Sequence, residues 1–347
     1  MSQDGRVEIM SADFVIGWAA QTGPEPVRVH AVLDGEVVGH AEANVERPDL
    51  ARAAATSSLR ASAFVIAYRA PVGDSRRGDV AVFRQGASGP LERSLGLRID
   101  RTPRQQIFVF GSPRSGTSEL GATLARTLDL PWLGEGHAAP LFATAAASLS
   151  GDTASPNGLV RFMAQQNYRA LIIEEARRAY YYAHASASFV DKTPGVPMIK
   201  AAPFVLECFP TAKAICLRRN GISNVLSRMV KFGGNFDRHC ADWAAAMNEW
   251  VKVRQHLPHY LEVNQEDMLA DPDAVAERLA AYIGCPDSAR QLGLSLGSGS
   301  REKTGAGIGR TTLAQTGWSA DQIRQFRHIC GPTMEAFGYP MDARQGA

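Results

Sequence analysis

Residues Gly111-Ser-Pro-Arg-Ser-Gly-Thr-Ser118 follow directly on the apolar run Ile107-Phe-Val-Phe110 and open a pattern that puts Leu120, Leu124 and Leu128 on one helical face. That is a strand, a phosphate-sized loop and a helix N-terminus in order, the local geometry of an anion site. The Gly-x-x-x-x-Gly spacing is that of a P-loop. Thr117, however, stands where a nucleotide triphosphatase has the lysine that reaches the β/γ-phosphates. The loop suits an anion other than a Mg-bound triphosphate.

From Ile107 onward strands alternate with helices, which predicts a P-loop-like α/β domain, a parallel sheet flanked by helices. Lys213-Ala-Ile-Cys-Leu217 reads as a buried strand ending at Arg218-Arg219, and Gly221 to Lys231 resumes a helical pattern. Ser227 then falls two turns into the helix. In an open α/β sheet ligands bind at the carboxyl ends of the strands, so Arg219 and Ser227 are placed beside the Gly111 to Ser118 loop. Arginine offers a planar fork to a phosphate and serine adds a hydroxyl. Two anion sites on one sheet point to a nucleotide phosphorylated at two positions.

The first hundred residues read differently. Val27-Arg-Val-His-Ala-Val-Leu33 alternates, Asp34-Gly35 supplies a hairpin turn, and Glu36-Val-Val-Gly-His-Ala41 returns. Further short strands fit Phe14–Trp18, Phe64–Tyr68 and Val80–Phe83. These predict a small antiparallel β-sandwich over residues 1–100, with Gly86 to Arg104 as linker and the α/β domain over 101–347. Arg47-Pro-Asp-Leu50 and Gly17-Trp18 give the module a resemblance to bacterial immunoglobulin-like domains of sugar-modifying enzymes. Arginines 161, 169, 177 and 178 read as a solvated helix face.

At 347 residues with 45% hydrophobic and 21% charged, the chain is long enough for two domains with full cores. A net charge of +2 gives no electrostatic case for nucleic acid. Cys208, Cys216, Cys240, Cys285 and Cys330 lack C-x-x-C spacing and read as free thiols, with no metal site. A polar N-terminus and no stretch of about 18 apolar residues lead to the expectation of a cytoplasmic protein without a membrane span.

Gly111 to Ser118 resembles the 5′-phosphosulfate loop of sulfotransferases that use 3′-phosphoadenosine 5′-phosphosulfate (PAPS), and Arg219 to Ser227 resembles their 3′-phosphate motif. Phe209 to Leu217, Tyr260 to Met268 with Asp271-Pro272, and Cys330-Gly331 with Gly338-Tyr339 are similar to further family stretches in the expected order. The likeness spans about Ile107 to Tyr339, and within the family it is to the branch of tyrosylprotein sulfotransferases and many bacterial enzymes. Gly134-Glu135 resembles that branch's Gly-Glu, whose carboxylate is the general base. Asp191-Lys192-Thr-Pro194 resembles the region whose lysine contacts the transferring sulfuryl group, and Lys231 falls at a basic 3′-phosphate ligand.

The resemblance implies Ser112, Pro113, Arg114, Ser115, Gly116, Thr117 and Ser118 around the 5′-phosphate, with Arg219, Ser227 and Lys231 on the 3′-phosphate. Lys192 and Arg114 would stabilise the charge of transfer, and Glu135 would take the acceptor proton. His137 is a rival base two residues away. Arg301, Lys303 and Arg310 in a glycine-rich stretch are candidates to close over the nucleotide. The expected acceptor is a hydroxyl, on a saccharide by reason of the N-terminal module, with a lipid, small molecule or peptide tyrosine as alternatives. A nucleotide kinase is disfavoured by Thr117, and a non-catalytic glycan-binding protein by the retention of both Glu135 and Lys192.

Overall fold

The structure is a computed structural model that describes residues 5–20, 25–48, 61–99, 104–149, 168–298 and 312–341, with residues 50 and 163. Its contacts divide the chain into two compact units, Met1–Arg104 with Leu149–Ser188, and Gln105–Ser148 with Phe189–Ala347.

In the first unit β1 (Gly5–Met10), β2 (Phe14–Ala19), β3 (Val27–Leu33), β4 (Glu36–Ala43), β5 (Val45–Glu46), β6 (Ala61–Ala67), β7 (Ala81–Arg84) and β8 (Glu92–Ile99) build sheets of order β5-β6-β2-β1-β8 and β4-β3-β7. Alternate residues of each sheet turn inward. Val7, Val15, Phe64 and Ile66 of the first meet Val29, Ala31, Ala41 and Val82 of the second in a closed apolar core, the packing of a β-sandwich. Asp34 and Gly35 both have positive φ, 53° and 83°, as a two-residue hairpin turn between right-twisted strands requires.

The stretch expected as a linker, Gly86 to Arg104, contains a strand instead: Glu92–Ile99 forms β8 and pairs in parallel with β1. Its alternation of Leu95, Leu97 and Ile99 was masked by the glycine, serine and arginine around it. Leu97 packs on the core, whereas Leu95 is fully exposed.

Helix α3 (Tyr168–His184; α1 and α2 belong to the second unit) completes the first unit. Tyr181 stacks on Phe14 at 4.9 Å between ring centroids. Two arginines of the expected solvated face are turned inward instead: Arg178 pairs with Glu174 at 2.7 Å and donates to the His40 carbonyl, and Arg177 lies over the Tyr181 ring at 5.8 Å. A helix laid on a sheet leaves no water on that side for its cations, so they take ring faces and strand carbonyls. Arg161 lies outside the described residues.

In the second unit β9 (Gln106–Gly111), β10 (Phe189–Lys192), β11 (Lys213–Arg218) and β12 (Leu261–Asn264) form a parallel sheet of order β10-β9-β11-β12. The helices follow as α1 (Thr117–Thr127), α2 (Ala138–Ser148), α4 (Val196–Lys200), α5 (Ala202–Cys208), α6 (Gly221–Phe232), α7 (Phe236–Arg254), α8 (Gln265–Ala270), α9 (Pro272–Ile283), α10 (Ala289–Ser298) and α11 (Ala320–Ala336).

Both faces of the sheet are covered, which is why its strands are continuously apolar. Ile107, Val109, Ile215 and Leu217 pack against Leu120 and Leu124 of α1, Leu279 of α9 and Leu292 of α10. The alternate residues face the other way, where Phe108 meets Phe189 and Phe209 at 5.6 and 5.8 Å and Phe110 meets Trp250 of α7 at 6.2 Å. All five cysteines are free thiols, with Cys208, Cys216, Cys240 and Cys330 buried. Among the described residues no helix is long and apolar enough to cross a membrane.

Candidate active site

The parallel register brings the carboxyl ends of β10, β9 and β11 together, with Lys192 opposite Val109 and Leu217 opposite Gly111. Gly111 has φ 149°, and a Cβ there would stand 2.4 Å from the Leu217 carbonyl oxygen, so only glycine lets the chain leave the sheet at this point. The loop then turns through Arg114 at φ 71°, a left-handed conformation rare for a residue with a side chain. Strain of this kind persists only where neighbours hold it.

Those neighbours come from α6 and the turn before it. Arg219 Nη1 donates to the Arg114 carbonyl at 2.8 Å, and Arg114 Nε donates to Ser227 Oγ at 3.1 Å. Asn224 Nδ2 donates to the Pro113 carbonyl at 3.0 Å and to Ser115 Oγ at 3.1 Å. Arg228 Nη2 reaches Ser112 Oγ at 3.1 Å, while its Nε donates to Asn224 Oδ1 at 2.9 Å. Ser112, Ser115 and Ser227 have no exposed surface, so their hydroxyls serve to hold the loop. Gly116, at φ 89°, then starts α1, whose first N–H groups have no partner within the helix. Thr117 occupies its first position and Ser118 its second.

Arg219 is sunk beside this loop. Burial pushes its pKa down, opposed by the nearby carboxylate of Glu266, and its Nε has no hydrogen-bond partner among the described residues. Glu266 in turn accepts from the Asn220 N–H at 2.8 Å and is pushed up by burial. The guanidinium stays charged at any ordinary pH. Glu266 Oε2 likewise has no hydrogen-bond partner among the described residues, so a buried cation and a buried carboxylate lie together next to a helix N-terminus.

At the end of β10 lies a second group. Lys192, only 3% exposed, forms an ion pair with Glu135 through Nζ and Oε1. The other carboxylate oxygen meets His137 Nε2 at 3.1 Å. The segment bearing these residues is tied to β10, since Lys192 N–H donates to the Gly134 carbonyl at 3.4 Å and His137 N–H to Thr193 Oγ1 at 3.2 Å, which itself donates to Asp191 Oδ1 at 3.1 Å. Gly136 lets the segment lie this close, because a Cβ there would fall 2.7 Å from Asp191 Oδ2. Burial raises the Glu135 pKa, but the hydrogen bond and charge of Lys192, then His137, outweigh it and leave the carboxyl below its usual range. Glu135 is therefore a carboxylate, a proton acceptor held beside the Lys192 side chain.

The structure thus joins Ser112, Pro113, Arg114, Ser115, Arg219 and Ser227 in one hydrogen-bonded network, and Glu135, His137 and Lys192 in another. Lys231 is exposed in the last turn of α6, one turn beyond Ser227, and no described residue bonds it. Arg301, Lys303 and Arg310 lie outside the described residues. Asn224, Arg228, Thr193 and Glu266 were given no role in the sequence reading. The signal for the first two was present: Asn224, Ser227, Arg228 and Lys231 recur at helical spacing on one polar face.

A sequence model described as the sulfotransferase family matches residues 106–289. A comparison with curated proteins finds no match. Among solved structures, the chain is similar to the sulfotransferase domain of an olefin synthase from Synechococcus PCC 7002, at 19% identity and TM-score 0.41 over 69% of this chain and 96% of that one. A sulfotransferase domain from the curacin biosynthetic pathway gives 18% and 0.38 over 68% and 98%. The sulfotransferase STF9 of Mycobacterium avium gives 13% and 0.38 over 70% and 79%.

Proposed function

Because this chain belongs to the sulfotransferase family, we propose that it transfers a sulfuryl group from PAPS to a hydroxyl acceptor, with Glu135 as base. The observation that carries the reading is the Lys192–Glu135 pair at the end of β10, the strand beside the anion-binding loop.

When bound, the donor supplies an activated sulfuryl group on a phosphate leaving group. The loop N–H groups at the start of α1, with Arg114, hold the 5′-phosphate. Arg219 takes the 3′-phosphate, while the buried Ser227 hydroxyl holds the Arg114 guanidinium beside it. Lys192 places its ammonium at the bridging oxygen, where negative charge grows as the sulfur–oxygen bond breaks. Glu135 accepts the hydroxyl proton as the new oxygen–sulfur bond forms, help worth roughly 10² to 10⁴ in rate. No γ-phosphate needs activation, so Thr117 in place of the P-loop lysine is consistent with the chemistry.

The saccharide expected as acceptor is supported by the N-terminal sandwich alone, and the catalytic argument requires only a hydroxyl. Calorimetry with 3′,5′-bisphosphoadenosine tests the donor side. Binding should be far tighter than that of adenosine 5′-monophosphate, and Arg219→Ala should weaken it about 10- to 100-fold, as loss of one or two charge-assisted hydrogen bonds predicts. Equal affinity for the two nucleotides, or turnover of Mg-ATP without turnover of PAPS, would overturn the assignment.

A further inference from the structure

Arg219 and Glu266 follow neighbouring strands of the parallel sheet. β11 and β12 run in register, Arg218 opposite Asn264, so the first residue past one strand and the second past the other leave the sheet at the same edge. Glu266 then sits in the first turn of α8. Its Oε1 accepts from the Asn220 N–H at 2.8 Å, while Trp243 Nε1, from α7, donates to the Arg219 carbonyl at 3.2 Å. That N–H and that carbonyl are the two ends of one peptide unit. A planar unit held at both ends is left without room to rotate, and it fixes the direction in which the Arg219 side chain leaves the backbone.

The surroundings are built around this clamp. Trp243 has no exposed surface, and Gly221 lets its indole in, since a Cβ there would fall 2.9 Å from two of the ring carbons. Asn220 is buried and caps α6, its Oδ1 accepting from the Ile222 N–H at 2.8 Å. A buried peptide N–H is an obligatory donor, and that of Asn220 is met by Glu266.

Charge alone makes Glu266 a poor companion for a phosphate. Its carboxylate offsets part of the charge of Arg219, so an anion arriving at the guanidinium meets a like charge as well. A side chain serving only as counter-charge would therefore strengthen phosphate binding when removed. One that holds the Arg219–Asn220 peptide would weaken it. The two roles give opposite signs.

We infer that Glu266 is a positioning residue for the bisphosphorylated nucleotide: the hydrogen bond it accepts from Asn220, with that of Trp243 at the other end of the same peptide, aims the Arg219 guanidinium at the 3′-phosphate. This rests on the sulfuryl-donor reading and adds to it the side chains by which the 3′-phosphate is told apart.

The test is calorimetry with 3′,5′-bisphosphoadenosine and adenosine 5′-monophosphate on wild type, Glu266→Ala, Glu266→Gln and Trp243→Phe, the ratio of the two affinities being the readout. The monophosphate reports damage to the loop, which α8 also touches: Gln265 Cγ lies 3.3 Å from where a Cβ on Gly116 would stand. Glu266→Ala should cut bisphosphate affinity about tenfold with monophosphate affinity within about twofold, the scale of one hydrogen bond to a charged group. Glu266→Gln keeps an oxygen to accept from Asn220 and sheds the charge, and should hold the ratio at or above that of wild type. Trp243→Phe keeps a ring in the core without the donor, and should lower the ratio. Bisphosphate affinity unchanged or raised in Glu266→Ala, equal loss for both nucleotides, or a Glu266→Gln protein as impaired as Glu266→Ala would overturn the inference. If Glu266→Ala does not fold, Trp243→Phe decides: a lowered ratio with Glu266→Gln intact supports the clamp, and an unchanged ratio overturns it. Wild-type protein that binds the two nucleotides equally would instead sink the donor reading beneath it.

Discussion

Glu135 is held from both sides, and the two contacts have separable consequences. Lys192 and His137 together keep its carboxyl below the usual range, so activity that needs the carboxylate persists at mildly acidic pH and falls only as pH drops through that lowered value. His137→Gln removes one of the lowering influences and should move the acid limb of the kcat/KM profile to higher pH, with the donor affinity unchanged. A limb that stays in place would mean that His137 does not act on Glu135. The stability counterpart has the same sign, present above the unfolded pKa and lost as pH falls through the folded one, but side-chain exposure of 42% at Glu135 makes it small. Thr193→Val frees the His137 N–H and should lower kcat about tenfold, the cost of a loosened base rather than a missing one. Thr193 itself was unreadable from sequence, because a threonine whose hydroxyl bridges a backbone N–H and a carboxylate looks like any strand-end threonine. That Arg114, Arg219 and Ser227 lie together was readable, because strand ends in a parallel sheet share one edge and the loop after β9 meets the turn and helix after β11 there.

Between α6 and the loop the same distinction appears at the scale of elements. The loop's glycines and its place between a strand and a helix were legible, and so was the helix after β11. What holds the loop was hidden in side chains that bond backbone and hydroxyls across more than a hundred residues of sequence. Asn224 uses its amide as donor to two loop atoms and its carbonyl as acceptor for Arg228. Asn224→Leu keeps the branched shape and removes all three bonds, and should weaken bisphosphoadenosine binding about 10- to 100-fold, since several kcal/mol-scale hydrogen bonds go together. Arg228→Lys should fail in the same direction, because a point ammonium cannot meet Ser112, Asn224 and Asp242 at once. Isothermal calorimetry on the folded variants checks both. The elements misjudged in sequence, β8 above all, are those where alternation was diluted by Gly, Ser and Arg, so that composition outweighed period. The hairpin at Asp34-Gly35 was plain, because its turn chemistry is local.

At the scale of the whole molecule, chain order and compact units do not coincide. The sequence reading placed one boundary near residue 100, whereas the chain passes between units after Arg104, after Ser148 and after Ser188. Periodicity has no means of telling which of two cores a helix joins, and α3 reads as amphipathic in either. Its partners lie in the first unit, where Tyr180 and Tyr181 are buried and Tyr181 stacks on Phe14. Yet its flanks lead directly to elements of the second unit, α2 on one side and β10 with Lys192 on the other. A chain beginning at Gln105 would present α3 with its buried ring face uncovered, and is expected to lack a cooperative melt. Phe14→Ala is the gentler probe. Losing a fully buried ring should cost about 3–5 kcal/mol, lowering the midpoint of the first unit's unfolding. Because residues 149–188 link α2 to β10, transfer activity should disappear along that same transition. Activity that outlasts it, followed by parallel circular dichroism and labelled-donor assays over a temperature ramp, would make the sandwich a separable module and α3 a passive insertion.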